Sequence, residues 1–238
     1  MPVTIARVRA VLVGGAGPLG SGGAVSAIDK RSAVGPVWAG ALGLDGDEQA
    51  DRRVHGGELK AVHVYPWSHY QRWRAELPDC TVLHAPGAFG ENLSVEGIEE
   101  RDVCLGDRWR VGGVLLEVSQ GRQPCWKLNV RFGVADMARR VQDSTRAGWY
   151  LRVVQPGAVT AGDDVVLAAC PAPSHSLADV LAAIRDREVR PEVIGPMLEL
   201  PLTPSWRRLL ECRVASGVVE DWTSRLDGAG TGAAAERH

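Results

Sequence analysis

The chain has 238 residues, with 27 basic and 29 acidic side chains and a formal net charge of −2. Apolar and charged fractions of 45% and 24% exclude a largely disordered chain, and the lack of a basic excess argues against a dedicated nucleic-acid binder. No apolar run reaches the roughly 20 residues that span a bilayer, and Arg7 and Arg9 interrupt the first apolar stretch, which spoils a secretory signal. The expectation is a soluble cytoplasmic protein with neither a nucleic-acid nor a membrane partner.

Val3 to Val13 is rich in Val and Ile with loose alternation and reads as a strand. Gly14 to Gly23 is a glycine-rich connection without the spacing of a nucleotide phosphate loop. Short strands follow at Val25–Ile28 and Val37–Leu42, then a loop of mixed charge between Gly43 and Gly57. Ala61–Tyr65 reads as a strand, and Pro66 opens a helix through about Leu77. Further strands are expected near Asn92–Val95, Arg108–Val111, Val114–Ser119, Tyr150–Val154 and Asp164–Cys170, with a second helical interruption after Pro124. Gly-Asp and Gly-Gly pairs punctuate them. Many short strands with turn signals favour a barrel or sandwich over a doubly wound sheet.

Beyond Pro171, Pro173 and Ser174 the strand signals vanish. Ser176 and Asp179 form a capping box ahead of a helix to about Arg187, Pro191 starts a second to about Leu200, and Thr203-Pro204 starts a third over Trp206–Ala215. The fold class is therefore mainly β with α. A barrel domain (1–170) is followed by a linker (171–175), a three-helix unit (176–226) and a Gly- and Ala-rich disordered tail (227–238). Trp206 and Trp222 either anchor a dimer interface on that unit or pack its core, and core packing is the favoured reading.

Five cysteines, Cys80, Cys104, Cys125, Cys170 and Cys212, stand no closer than 21 positions apart. Without a CxxC pair, neither a thiolate zinc site nor a disulfide framework is expected. Three segments carry chemistry. In Arg52-Arg53-Val54-His55-Gly56-Gly57, followed by Lys60 and His63, two glycines free the backbone to form an anion-binding nest that the cations supplement; a tight turn with solvated charges is the alternative. In Phe89-Gly90-Glu91-Asn92, a carboxylate and an amide either sit at a barrel mouth or form a local turn. In the run Gln120-Gly121-Arg122-Gln123-Pro124-Cys125-Trp126-Lys127-Leu128-Asn129, Cys125 falls near a helix start between Arg122 and Lys127, which favours a thiolate over a buried structural thiol.

In order, GLDGDEQAD, RRVHGG, LKAVHVYP, FGENL, SQGRQPCWKLN and GWYLRV resemble the MOSC family, named for the C-terminal domain of molybdenum cofactor sulfurase. The likeness is to its stand-alone bacterial YiiM-type members, whose three-helix extension TPSWRRLLECRVASGVVEDW resembles, and it covers roughly Arg7 to Leu226. It implies a β-barrel carrying a molybdenum–pterin cofactor (molybdopterin), with Cys125 at the position of the family's cysteine. That residue ligates molybdenum in some members and carries sulfur in others. His55, Gly56, Gly57, Lys60, Glu91, Asn92, Arg122, Gln123, Lys127 and Asn129 are then expected to wall the cofactor site.

The implied activity is reduction of N-hydroxylated compounds of the hydroxylaminopurine type, with electrons from an external donor protein because no nicotinamide fingerprint is present. The alternatives are sulfur transfer through a Cys125 persulfide and non-catalytic cofactor binding. A homodimer is compatible with either. Gly121 stands where the family commonly has proline, and the missing ring is expected to loosen the turn and enlarge the pocket.

Overall fold

The structure is a computed structural model that describes residues 3–21, 23–49 and 56–228. Its strands are β1 (Val3–Val13), β2 (Gly17–Leu19), β3 (Ala24–Ser26), β4 (Arg31–Ser32), β5 (Val37–Gly40), β6 (Gly43–Leu44), β7 (Val62–Pro66), β8 (Leu93–Glu96), β9 (Arg108–Val111), β10 (Val114–Gly121), β11 (Trp149–Gln155), β12 (Gly157–Val159) and β13 (Asp164–Ala169). Its helices are α1 (Trp67–Glu76), α2 (Lys127–Phe132), α3 (Met137–Ser144), α4 (Leu177–Arg185), α5 (Pro191–Leu198), α6 (Pro204–Ser216) and α7 (Thr223–Leu226).

Seven strands close a mixed barrel in the order β1-β8-β7-β11-β10-β9-β13, with β13 returning to β1. Only the β7–β8 neighbours in this barrel run parallel. A parallel pair needs a crossover, and α1 supplies it. Alternation sets the inner face. Ala6, Val8 and Ala10 of β1 point in while Arg7 and Arg9 point out, and β9 repeats the pattern with Trp109 and Val111 inward. Bulges in β1 at Thr4/Ala6 and Val8/Ala10 bend it so that one strand serves β13 at its start and β8 further on. A bulge at Val118/Gln120 interrupts β10 against β11 just before the Arg122 loop.

The helices after residue 176 follow their sequence signals, with local corrections. Ser176 accepts from the Asp179 N–H and Asp179 reciprocates, as a capping box requires. The first helix stops at Arg185, short of Arg187, because Arg187 adopts a left-handed φ of 59°. The second stops at Leu198, ahead of Pro201. Helix α3 and the short α7 carried no signal that the sequence reading used.

One apolar core runs from Tyr65, Phe89, Trp109 and Trp149 of the barrel to Leu177, Leu181, Trp206 and Leu210 of the helices. Trp206 and Trp222 are both buried in it, as the favoured reading held. Asp227, placed in the tail by sequence, pairs with Arg139 at 3.2 Å. Residues 229–238 lie outside the described residues.

Gly121 is explained by this packing. A Cβ there would stand 2.9 Å from Leu181 Cδ2 and 2.9 Å from a Trp206 ring carbon. The residue faces the helices, so the expectation of an enlarged pocket is corrected: the missing side chain lets α4 and α6 approach the end of β10. Gly121→Ala should therefore lower stability by about 1–3 kcal/mol through overpacking, read as a lower Tm. An unchanged Tm would mean that the helices give way freely.

Candidate functional site

An open cavity lies beside the ends of β3, β7 and β10. The chain has three lysines against 24 arginines, and all three, Lys30, Lys60 and Lys127, line this cavity together with Arg122. Among the described residues, Asp47 and Glu48 are the carboxylates on its wall. Four cations against these two anions favour a negatively charged ligand.

Each cation is placed by a different device. A one-turn 3-10 segment, Glu58–Lys60, starts after Gly57, whose φ is 91°, and the Lys60 N–H closes it on the Gly57 carbonyl at 2.9 Å. That turn sets Lys60 on the cavity wall, 6.0 Å from the centre of the Tyr150 ring. Burial lowers the Lys60 pKa from its ordinary value, and the nearby Cys125 sulfur partly restores it. Lys127 opens α2 and donates to the Val25 carbonyl at 3.1 Å. Lys30 forms a buried ion pair with Asp47. Burial still holds the Lys30 pKa below its usual range, with Asp47 acting against the shift.

Arg122 is 6% exposed, and its Nη1 is buried without a hydrogen-bond partner among the described residues. A buried guanidinium nitrogen with nothing to bond is a costly arrangement that an anionic ligand would relieve. Tyr150 adjoins it: burial raises the Tyr150 pKa and the Arg122 charge lowers it. His63 is buried on the same wall, its pKa held well below the ordinary imidazole value by desolvation and then by the Arg122 charge. It is a neutral ring at physiological pH.

Cys125 is half-buried on the cavity wall. It lies two residues ahead of α2, which has only six residues, so a helix-dipole argument carries little weight there. Its loop is held from the far end of the chain instead. Arg225 Nη1 donates to the Pro124 carbonyl at 2.6 Å, and the Trp126 N–H donates to the Arg225 carbonyl at 2.7 Å. The C-terminal segment therefore braces the thiol loop, a contact that no local signal announces.

The other residues expected in the site divide. Asn92 lines the cavity and also organises it: its Oδ1 accepts the His63 N–H at 3.0 Å, and its Nδ2 donates to Asp47 Oδ2 at 2.9 Å. Glu91 is turned into the core. It is fully buried and accepts from the Tyr70 hydroxyl and from the Gly87 and Phe89 N–H groups, so it shapes the loop that presents Phe89 and Gly90 to the cavity. Asn129 is also taken away from the cavity, since it donates to the Leu226 carbonyl at 2.8 Å and accepts the Ala138 N–H at 2.7 Å. Gln123 is half-buried outside the cavity lining. Gly57 borders a neighbouring groove, and Gly56 is not on the cavity wall. His55 lies outside the described residues. His63 stands with Lys60 in the segment read as an anion site, whereas Lys30, Asp47 and Tyr150 were not on the expected wall; for Lys30 the concentration of rare lysines was the available signal.

Comparison with known proteins decides the family. The sequence profile of the MOSC domain matches residues 51–166. Protein YiiM of Escherichia coli is 38% identical over 211 residues, covering 87% of this chain and 92% of its own length. The chain belongs to the MOSC-domain family. A crystal structure of YiiM from Geobacillus stearothermophilus superposes with a TM-score of 0.74 at 29% identity, covering 88% of this chain and 99% of that one. A protein of Gibberella moniliformis named "Reductase" is 40% identical over 201 residues, which are 84% of this chain but 36% of that protein. The MOSC match includes Lys60, Arg122, Cys125 and Lys127, whereas Lys30 and Asp47 lie ahead of it. Among the described residues of this MOSC protein, no helix is long and apolar enough to cross a membrane.

Proposed function

We propose that the chain is a molybdenum-cofactor-dependent reductase of N-hydroxylated compounds, with Cys125 as the protein ligand to the metal. The carrying observation is that one thiol and four cations, one of them with a buried unpartnered nitrogen, share a single cavity. The name of the Gibberella relative supports the reading.

The residues suit the cofactor. A thiolate is a soft donor for a metal, and binding requires its deprotonation. Arg122, Lys60 and Lys127 suit a phosphate-bearing pterin, with Arg122 offering its Nη1 to an anionic oxygen. When bound, the cofactor supplies a metal centre that exchanges two electrons and takes an oxygen from the substrate. The overall change converts N–OH to N–H and water with two electrons and two protons. The electrons come from a separate donor protein. Lys60 Nζ is a proton source on the wall, made a stronger acid than a surface lysine by its burial. The Tyr150 ring borders the same space and suits a planar base.

Protein carrying full molybdenum should reduce a hydroxylaminopurine when given an artificial electron donor. Full molybdenum with no reduction of any hydroxylamino substrate would overturn the reading. Because the Lys60 pKa is lowered, its charge is lost at a lower pH than that of an ordinary lysine. Inorganic phosphate binding to the cofactor-free protein should accordingly weaken as pH rises below the usual lysine range. Lys60→Met should flatten that pH dependence in part, Lys30 on the same wall retaining its own share, and an unchanged profile in the variant would take Lys60 out of the cradle.

A further inference from the structure

The isolated cysteines do not stay isolated in the fold. Strands β9 and β13 are antiparallel neighbours with Arg108 opposite Ala169. Asp107, just before β9, and Cys170, just after β13, therefore meet at the same edge. Residues Cys104 to Asp107 make a tight turn, closed by the Asp107 N–H on the Cys104 carbonyl at 3.2 Å, with Gly106 at a φ of 83° as the turn needs. The turn carries Cys104 back over Asp107. The two sulfurs and a carboxylate oxygen lie within 4.8 Å of one another.

The carboxylate is set as a ligand would be. Asp107 is 3% exposed. Its Oδ2 accepts the Cys104 N–H at 2.9 Å, which orients the group, while Oδ1 is buried with no hydrogen bond of normal geometry; the Cys170 thiol adjoins the carboxyl group. A buried acceptor left over beside two thiols is an arrangement that a cation would complete.

We propose that Cys104, Asp107 and Cys170 form a binding site for a borderline divalent metal of the zinc type, with its fourth position open to solvent on the exposed Cys170 side. Two thiolates and one carboxylate match the ligand preferences of zinc, which binds such donors at about 2.0–2.3 Å. Binding deprotonates both thiols, so one metal ion enters and two protons leave. The metal thus competes with protons, and affinity falls steeply as pH falls. Bound metal would tie residue 170, where the barrel ends, to the turn before β9. The proposal is independent of the cofactor reading, because Cys125 takes no part in it.

The test is a titration of the reduced full-length protein with cobalt(II) alone, followed by displacement with zinc(II). The expected result is one equivalent giving a thiolate-to-cobalt charge-transfer band and tetrahedral d–d bands, with two protons released per ion. Cys104→Ser and Cys170→Ser should each weaken binding by more than about 100-fold, beyond the loss of an outer partner, and Cys125→Ser should leave the bands intact. Asp107→Asn keeps an oxygen for the Cys104 N–H, so it should stay folded by circular dichroism while binding more weakly. Absence of the charge-transfer band at one equivalent, its persistence in both the Cys104 and Cys170 variants, or its loss in Cys125→Ser would overturn the proposal. So would a Cys104–Cys170 disulfide whose reduction yields protein that takes up no metal.

Discussion

Cys125→Ser should lower turnover of a hydroxylamino substrate by more than about 1,000-fold, equivalent to about 4 kcal/mol of lost transition-state stabilisation, while shifting Tm by no more than about 2 °C. The size of the effect follows from the role. If the sulfur is the protein's bond to the metal, its removal loosens the cofactor and alters the metal's electronic surroundings at once, and no neighbouring side chain in the cavity offers a second thiol. The small change in stability follows from the position. Cys125 is half-buried on a cavity wall, and its loop is held by backbone bonds to Arg225 rather than by the thiol. Parallel activity and melting measurements check both halves. A variant that melts much lower than the parent would make Cys125 a structural residue, and one that keeps its turnover would remove it from the chemistry.

Glu91→Ala should do the reverse, destabilising the fold by about 3–5 kcal/mol. The Tyr70 hydroxyl and the Gly87 and Phe89 N–H groups would lose their acceptor inside the core, and each buried donor left unmatched costs about 1–3 kcal/mol. In a chain of this size that is a fall in Tm of roughly 6–20 °C. Burial raises the Glu91 pKa, so part of the loss is offset by no longer holding a charge in the core. Glu91→Gln, which retains one acceptor oxygen, should lose less. Chemical denaturation gives the free energies directly. A Glu91→Ala protein as stable as the parent but unable to retain cofactor would restore the glutamate to the binding site.

Sequence patterning was most informative where local chemistry decides. Strands Val3–Val13 and Arg108–Val111 are found with the expected bounds, because alternation against a buried face defines them. The capping box at Ser176 and the first-turn prolines at Pro191 and Pro204 start their helices as expected. The candidate site was legible only in part. Lys60, Arg122, Cys125 and Lys127 come from segments whose composition is unusual in itself, and they do converge on one cavity.

Asn129, in the Cys125 segment, and Glu91, in the Phe89–Asn92 segment, spend their polar atoms on partners inside the fold, a choice made by tertiary packing that residue type does not reveal. Lys30 and Asp47 enter through a long-range ion pair. Gly121 answers to helices that begin more than fifty residues later. Arg225 braces the Cys125 loop across about a hundred positions of chain. The meeting of Cys104 with Cys170 likewise depends on strand register rather than spacing.

Elemental analysis for molybdenum, with pterin quantified on the same samples, tests the central claim most directly when applied to the parent chain and Cys125→Ser expressed in a host that makes the cofactor. Molybdenum and pterin are expected near one equivalent in the parent, with molybdenum reduced to background in the variant. A parent chain without molybdenum, or a Cys125→Ser protein that retains it in full, would contradict the assignment of Cys125 as its ligand.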